Sequence, residues 1–136
     1  APPELGPVIE NLIQYSTSGV AAFMQRAAIA ALDRGEGFLD HQVARAKHNR
    51  DVLESTLGSS NRVSFARTEG AFYLFLAVDG YEDSTALAKA LIDQQAVGLA
   101  PGTAFGLGGE KYLRLCFARR TEDIEEAAKR IARFLA

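Results

Sequence analysis

Apolar residues recur at helical spacing along the first part of the chain and gather into short strand-like runs after it. Leu5, Ile9, Leu12 and Ile13 share one helical face and predict a helix to about Tyr15, with Pro2 and Pro3 at its opening turn. Ser16-Thr17-Ser18-Gly19 breaks that helix and offers hydroxyls to cap the next. The next, residues 20–32, is apolar on almost every side, with Phe23, Met24 and Ile29 set among alanines, and such a helix is expected to be buried all round. Gly35 and Gly37 separate it from a longer helix over 38–57, ended by Gly58. Its apolar seam, Leu39, Val43, Ala46, Leu53 and Leu57, is narrow, as on a surface or connecting helix.

The period then shortens. Strands are expected at 63–66, 71–76, 97–100 and 112–117. Between them Asp83 or Ser84 caps a helix with the stripe Leu87, Ala88, Leu91 and Ile92. A last helix, capped by Thr121 and carrying Glu122 and Asp123 in its first turn, buries Ile124, Ala127, Ala128, Ile131 and Leu135. The expectation is an α/β fold: a two-layer small domain over 59–136, a short sheet covered by helices, preceded by a helical segment over 1–58.

Composition narrows the function. A chain of 136 residues with 48% hydrophobic content can build one real core. A net charge of −2, with no basic run, gives no case for nucleic acid or an anionic membrane, and no apolar stretch reaches membrane-spanning length. A single cysteine, Cys116, excludes an internal disulfide and suits a reducing, cytoplasmic setting. His41 and His48 stand seven apart rather than four, so no metal site is expected.

The sharpest chemical signal is Arg114, a single arginine inside the apolar strand Tyr112–Ala118. A guanidinium keeps its charge, so in a part-buried strand it needs an anion, and its planar fork matches a carboxylate. A local Asp or Glu could fill that need as well as a ligand could. The glycines of 101–109 precede a strand rather than a helix, so this loop is expected to shape the rim of an arginine pocket and not to cradle phosphate, with Phe105 a closing or packing ring. Cys116 shares the face of Arg114 by alternation and, without a base beside it, is read as a small packed residue.

Several segments, in this order, carry a resemblance: Ala1–Leu5, Ser16–Ser18, Gln25–Leu32, Glu69–Phe75, Ala100–Gly106 (Ala-Pro-Gly-Thr-Ala-Phe-Gly) and Tyr112–Ala118 (Tyr-Leu-Arg-Leu-Cys-Phe-Ala). Together they resemble the C-terminal portion of pyridoxal-phosphate-dependent class I/II aminotransferases of fold type I, near the aspartate-aminotransferase-like members. The resemblance covers essentially the whole chain. It implies transfer of an amino group between an amino acid and a 2-oxo acid, pyridoxal 5'-phosphate in the parent enzyme, and a homodimer. It assigns the substrate α-carboxylate to Arg114, and leaves Ser16, Thr17 and Ser18 as weaker candidates for contacts near the cofactor. Residues 1–58 correspond to interdomain and interface helices, and 59–136 to the small domain.

The family's Schiff-base lysine lies in a motif upstream of the Ala1–Leu5 stretch, and Lys47, Lys89, Lys111 and Lys129 stand in no such setting. The resemblance thus implies part of a longer enzyme, with no catalytic residue and no bound cofactor of its own. Related lyases and synthases that keep a similar arginine, a stand-alone carboxylate-binding module, and a helical interaction protein remain as alternatives.

Overall fold

A computed structural model describes all residues, 1–136. The chain forms two compact units, Ala1–Asp40 and His41–Ala136.

The first unit is helical. A 3-10 turn at Pro3–Leu5 leads into α1 (Gly6–Ser16), followed by α2 (Ala22–Arg34) and the start of α3 (Glu36–Leu57). The break before α3 falls at Gly35 alone, and Gly37 is helical. The hydroxyls of Ser16, Thr17 and Ser18 do not cap α2. They donate back to the carbonyls of Leu12, Ile13 and Gln14, closing the end of α1, and α2 starts after Ala21 without a side-chain cap. Within this unit no side chain is buried, so the expected all-round cover of α2 is not supplied: Phe23 is 73% and Leu32 83% exposed.

The second unit is a two-layer α/β domain. Its strands β1 (Val63–Phe65), β2 (Tyr73–Val78), β3 (Ala100–Pro101) and β4 (Tyr112–Cys116) form one antiparallel sheet in the order β1-β2-β4-β3. The chain runs β2–α4–β3, with α4 at Ser84–Gln95, and then turns back so that β4 inserts between β2 and β3. This is a split βαβ unit, and it makes β4 an interior strand. Helix α5 (Thr121–Leu135) packs beside α4.

One face of the sheet makes the core. Leu74, Leu76 and Val78 of β2 and Leu113 and Leu115 of β4 alternate inward, where they meet Leu87 and Leu91 of α4 and Ile124, Ala128 and Ile131 of α5. Leu53 and Leu57 of α3 are fully buried in the same cluster. They anchor that end of α3 in the layered unit.

Local chemistry explains the other displaced boundaries. β2 begins at Tyr73 because Ala71 takes a left-handed φ of 56°, which no strand continues through. The strand expected from residue 97 waits until Ala100. Ala96, also left-handed at φ 54°, closes α4, and the Val97 N–H donates to the Leu91 carbonyl, so Val97 packs as part of the helix end. Asp83 caps α4 as expected, accepting from the Thr85 and Ala86 N–H groups. At α5 the cap position is Arg120 rather than Thr121, and its guanidinium forks onto Asp123 in the first turn.

Candidate functional site

Alternation along β4 separates two jobs. Leu113 and Leu115 point into the core, while Tyr112, Arg114 and Cys116 lie on the opposite face, which the helices leave open. Arg114 sits mid-sheet, paired across to Phe75 on β2 and to Ala100 on β3. The central strand thus fixes its backbone from both sides.

Aromatic rings hold its side chain. The guanidinium carbon lies 4.2 Å from the ring centroid of Tyr73 and 3.8 Å from that of Phe105. Ring quadrupoles attract such a cation by about 0.5–2 kcal/mol each. They satisfy none of its N–H donors. No Asp or Glu of the chain makes an ion pair with Arg114, and no carbonyl or hydroxyl accepts a hydrogen bond from its guanidinium. A half-buried arginine with its donor fork free is an arrangement that an incoming carboxylate completes.

Phe105 reaches the site through the loop from β3 to β4. Gly102 and Gly109 face each other so closely that a Cβ on either would overlap the other's carbonyl oxygen. That contact pinches the loop and lets the 3-10 turn Gly102–Phe105 lay its last ring against Arg114. Phe75 continues the surface. Its ring stacks on Tyr112 with centroids 5.0 Å apart and meets Phe105 edge-on at 6.4 Å. Sequence reading singled out Arg114 and Phe105 but missed Tyr73, Phe75 and Tyr112. Their signal was the same alternation that places Arg114, on β2 as well as β4.

Cys116 apart, the remaining candidates lie outside β2, β3 and β4. Ser16, Thr17 and Ser18 belong to the first unit and spend their hydroxyls on α1. His41 and His48 are exposed on α3, and no three of the chain's His, Cys, Asp and Glu cluster as a metal site would require. Cys116 is a half-buried free thiol at the edge of a separate cleft of about 470 Å³, beside Arg119, Asp123 and Arg130. All four lysines are exposed. Lys111 is bound to Glu82 at 2.7 Å, and this hydrogen bond with its charge attraction raises the ammonium above its ordinary pKa. That is the opposite of what an amine nucleophile needs.

Comparison with known proteins agrees with this geometry. The family model described as aminotransferase class I and II matches residues 7–131. A probable aspartate aminotransferase of Methanocaldococcus jannaschii is 36% identical over 123 residues, which are 88% of this chain and 32% of that protein. An LL-diaminopimelate aminotransferase of Nitratidesulfovibrio vulgaris is 35% identical over 131 residues, 94% of this chain and 32% of its own. Among solved structures, an aminotransferase from Mycobacterium tuberculosis superposes with a TM-score of 0.84 at 31% identity, over 99% of this chain and 36% of that one. The chain spans about a third of the length of the curated relatives it matches. It belongs to the class I and II aminotransferase family, and its four-stranded sheet with covering helices is the small domain of the family's fold.

Proposed function

We propose that this chain serves an amino acid aminotransferase as its substrate-carboxylate-binding domain, with Arg114 holding the α-carboxylate of the amino acid and of the 2-oxo acid. One observation carries the reading: Arg114 is fixed in mid-sheet between two rings while its donor fork meets no acceptor in the chain. Two parallel N–H···O bonds from a guanidinium fix both the position and the plane of a carboxylate. Orientation of that kind decides which bond at the α-carbon is aligned for breaking, and accounts for much of a catalyst's advantage.

Pyridoxal phosphate supplies the amino-group chemistry in this family. The residues present do not fit that group. No residue of β2, β3 or β4 is a lysine, Lys111 is engaged by Glu82, and the glycine-rich loop leads into β4 instead of aiming a helix N-terminus at a phosphate. The chain's own part is therefore to bind and orient the acid. We further assign residues 1–58 to interdomain and subunit-contact helices, 59–136 to the small domain, and a homodimer to the enzyme.

The test is a titration of the ¹⁵N-labelled chain with propanoate. A saturable shift of the Arg114 Nε–H resonance that Arg114→Gln abolishes supports the assignment. An Arg114 resonance indifferent to propanoate removes it and leaves the arginine a structural cation.

A further inference from the structure

We infer that Thr68 and Arg50 are positioning residues for the carboxylate site: together they hold the Tyr73 ring over the Arg114 guanidinium. This role rests on the carboxylate reading of Arg114 and deepens it. Tyr73 is the first residue of β2, and its ring centroid lies 4.2 Å from the guanidinium carbon. A strand end frays unless something beyond the ladder fixes it.

The β1–β2 register supplies the place and Thr68 the bond. Val63 pairs with Val78 and Phe65 with Leu76, so the same register carried past the end of β1 sets Thr68 opposite Tyr73. The backbone has left the ladder there, yet the half-buried Thr68 hydroxyl donates to the Tyr73 carbonyl at 3.1 Å. A side chain thus replaces the missing rung. It also closes the loop from Thr68 to Tyr73, in which Ala71 takes its left-handed φ of 56°.

Helix α3 anchors both ends of that loop. Arg50 donates through Nη1 to the Thr68 carbonyl at 3.0 Å, while its Nε and Nη2 converge on Asp51. The neighbouring Arg67 reaches Glu54 at 3.5 Å and Asp51 at 3.8 Å. At the other end the Phe117 N–H donates to the Phe72 carbonyl at 2.9 Å, and Asn49 holds the Phe117 carbonyl. Consecutive residues of α3 therefore fix the entry of β2 and the exit of β4, the paired strands that bring Tyr73 and Arg114 together. A guanidinium that is already stacked loses less rotamer freedom when a carboxylate arrives.

The experiment follows the Arg114 Nε–H resonance of the ¹⁵N-labelled chain, which the ring current of Tyr73 shifts, and titrates it with propanoate. Thr68→Val keeps the side-chain branch and removes the hydroxyl. It is expected to move the resonance of the free chain toward that of Tyr73→Leu, and to weaken propanoate binding about three- to tenfold, the scale of ordering one long side chain. Thr68→Ser, which restores the hydroxyl, is expected to restore both. Arg50→Lys, which gives up the fork, is expected to act in the same direction as Thr68→Val. In the Tyr73→Leu chain, adding Thr68→Val is expected to change nothing further, because no ring is left to position. A thermal melt of each variant reports that the sheet is intact. Wild-type resonance and affinity in Thr68→Val or in Arg50→Lys overturn the role of that residue. An equal loss of affinity from Thr68→Val with and without the Tyr73 ring overturns positioning through Tyr73 and leaves Arg114 as a carboxylate site. A wild-type chain indifferent to propanoate removes the carboxylate reading itself, and with it any part for Thr68 in binding.

Discussion

The side-chain amide of Asn49 on α3 donates to the carbonyl of Phe117 at 2.9 Å and to that of Arg119 at 3.0 Å. Asn49 is fully buried, and the two carbonyls it grips lie just beyond the strand that carries Arg114. Helix α3 and the exit of β4 are thereby joined by a polar clasp inside an otherwise apolar core. The clasp predicts that Asn49→Leu, which leaves both carbonyls without their donor, lowers unfolding stability by about 1–3 kcal/mol. Chemical denaturation measures this, and a change within error would show that water replaces the amide.

Arg114→Lys tests charge against shape. Lysine keeps the cation but loses the fork and the flat guanidinium that packs between Tyr73 and Phe105. In an enzyme carrying this chain the expected loss in kcat/KM corresponds to about 2–4 kcal/mol of transition-state binding, with little change in melting temperature. An unchanged kcat/KM would assign Arg114 a purely structural part.

Much of this site was legible in the sequence. A lone arginine within Tyr112–Ala118 flagged its own need for an anion, and the period-two pattern placed it opposite the core face. The grouping of rings around Arg114 was not legible, because it depends on β4 inserting between β2 and β3, a long-range pairing that no local pattern announces. The same limit explains Leu53 and Leu57. Their narrow seam reads as surface until the sheet against which they pack is known. The boundary misses near Ala71 and Ala96 share one cause: alanine gives no warning of a left-handed backbone, as glycine or asparagine would.

The glycine pair in the β3–β4 loop predicts a steep response to one methyl group. In Gly102→Ala the new Cβ would strike the Gly109 carbonyl and come within 2.6 Å of the Tyr112 carbonyl oxygen, both backbone atoms with little room to yield. The expected cost is about 1–3 kcal/mol, the range for overpacking. Because the pinch carries Phe105 to Arg114, propanoate binding should weaken as well. Wild-type melting and binding in Gly102→Ala would show that the loop has slack.

Acid should destabilise the chain in one direction only. Hydrogen bonds from Arg50, Arg120 and Arg130 hold Asp51, Asp123 and Glu126 below their ordinary carboxylate pKa values. The folded chain therefore takes up protons less readily than the unfolded one. The benefit is complete above the unfolded values, near pH 4, and is lost as the pH falls through the folded ones. These groups are solvent-exposed, so salt should blunt the effect. Melting temperature is expected to be level between about pH 7 and pH 5 and to drop below pH 4; a rise on acidification would contradict the arrangement.

Self-association is the last expectation, and it follows from the first unit. Val20, Phe23, Met24, Ile29 and Leu32 of the α2 region are 56–83% exposed, and Leu12 and Tyr15 on α1 are 63% and 88% exposed. Monomeric soluble proteins seldom leave contiguous apolar patches beyond a few hundred Å² uncovered. Burying about 500 Å² of such surface against a second copy offers about 12 kcal/mol before association costs are subtracted. Those costs are of similar size, so the outcome depends on few side chains. Light scattering at rising concentration is expected to report a dimer or larger species. Phe23→Glu and Leu32→Glu together should return it to monomer, because each would place a charge in the buried patch. Neither residue is a member of the core cluster of the layered unit, so circular dichroism should show that unit folded in the variant. A wild-type chain that stays monomeric at high concentration would refute the subunit-contact role proposed for these helices.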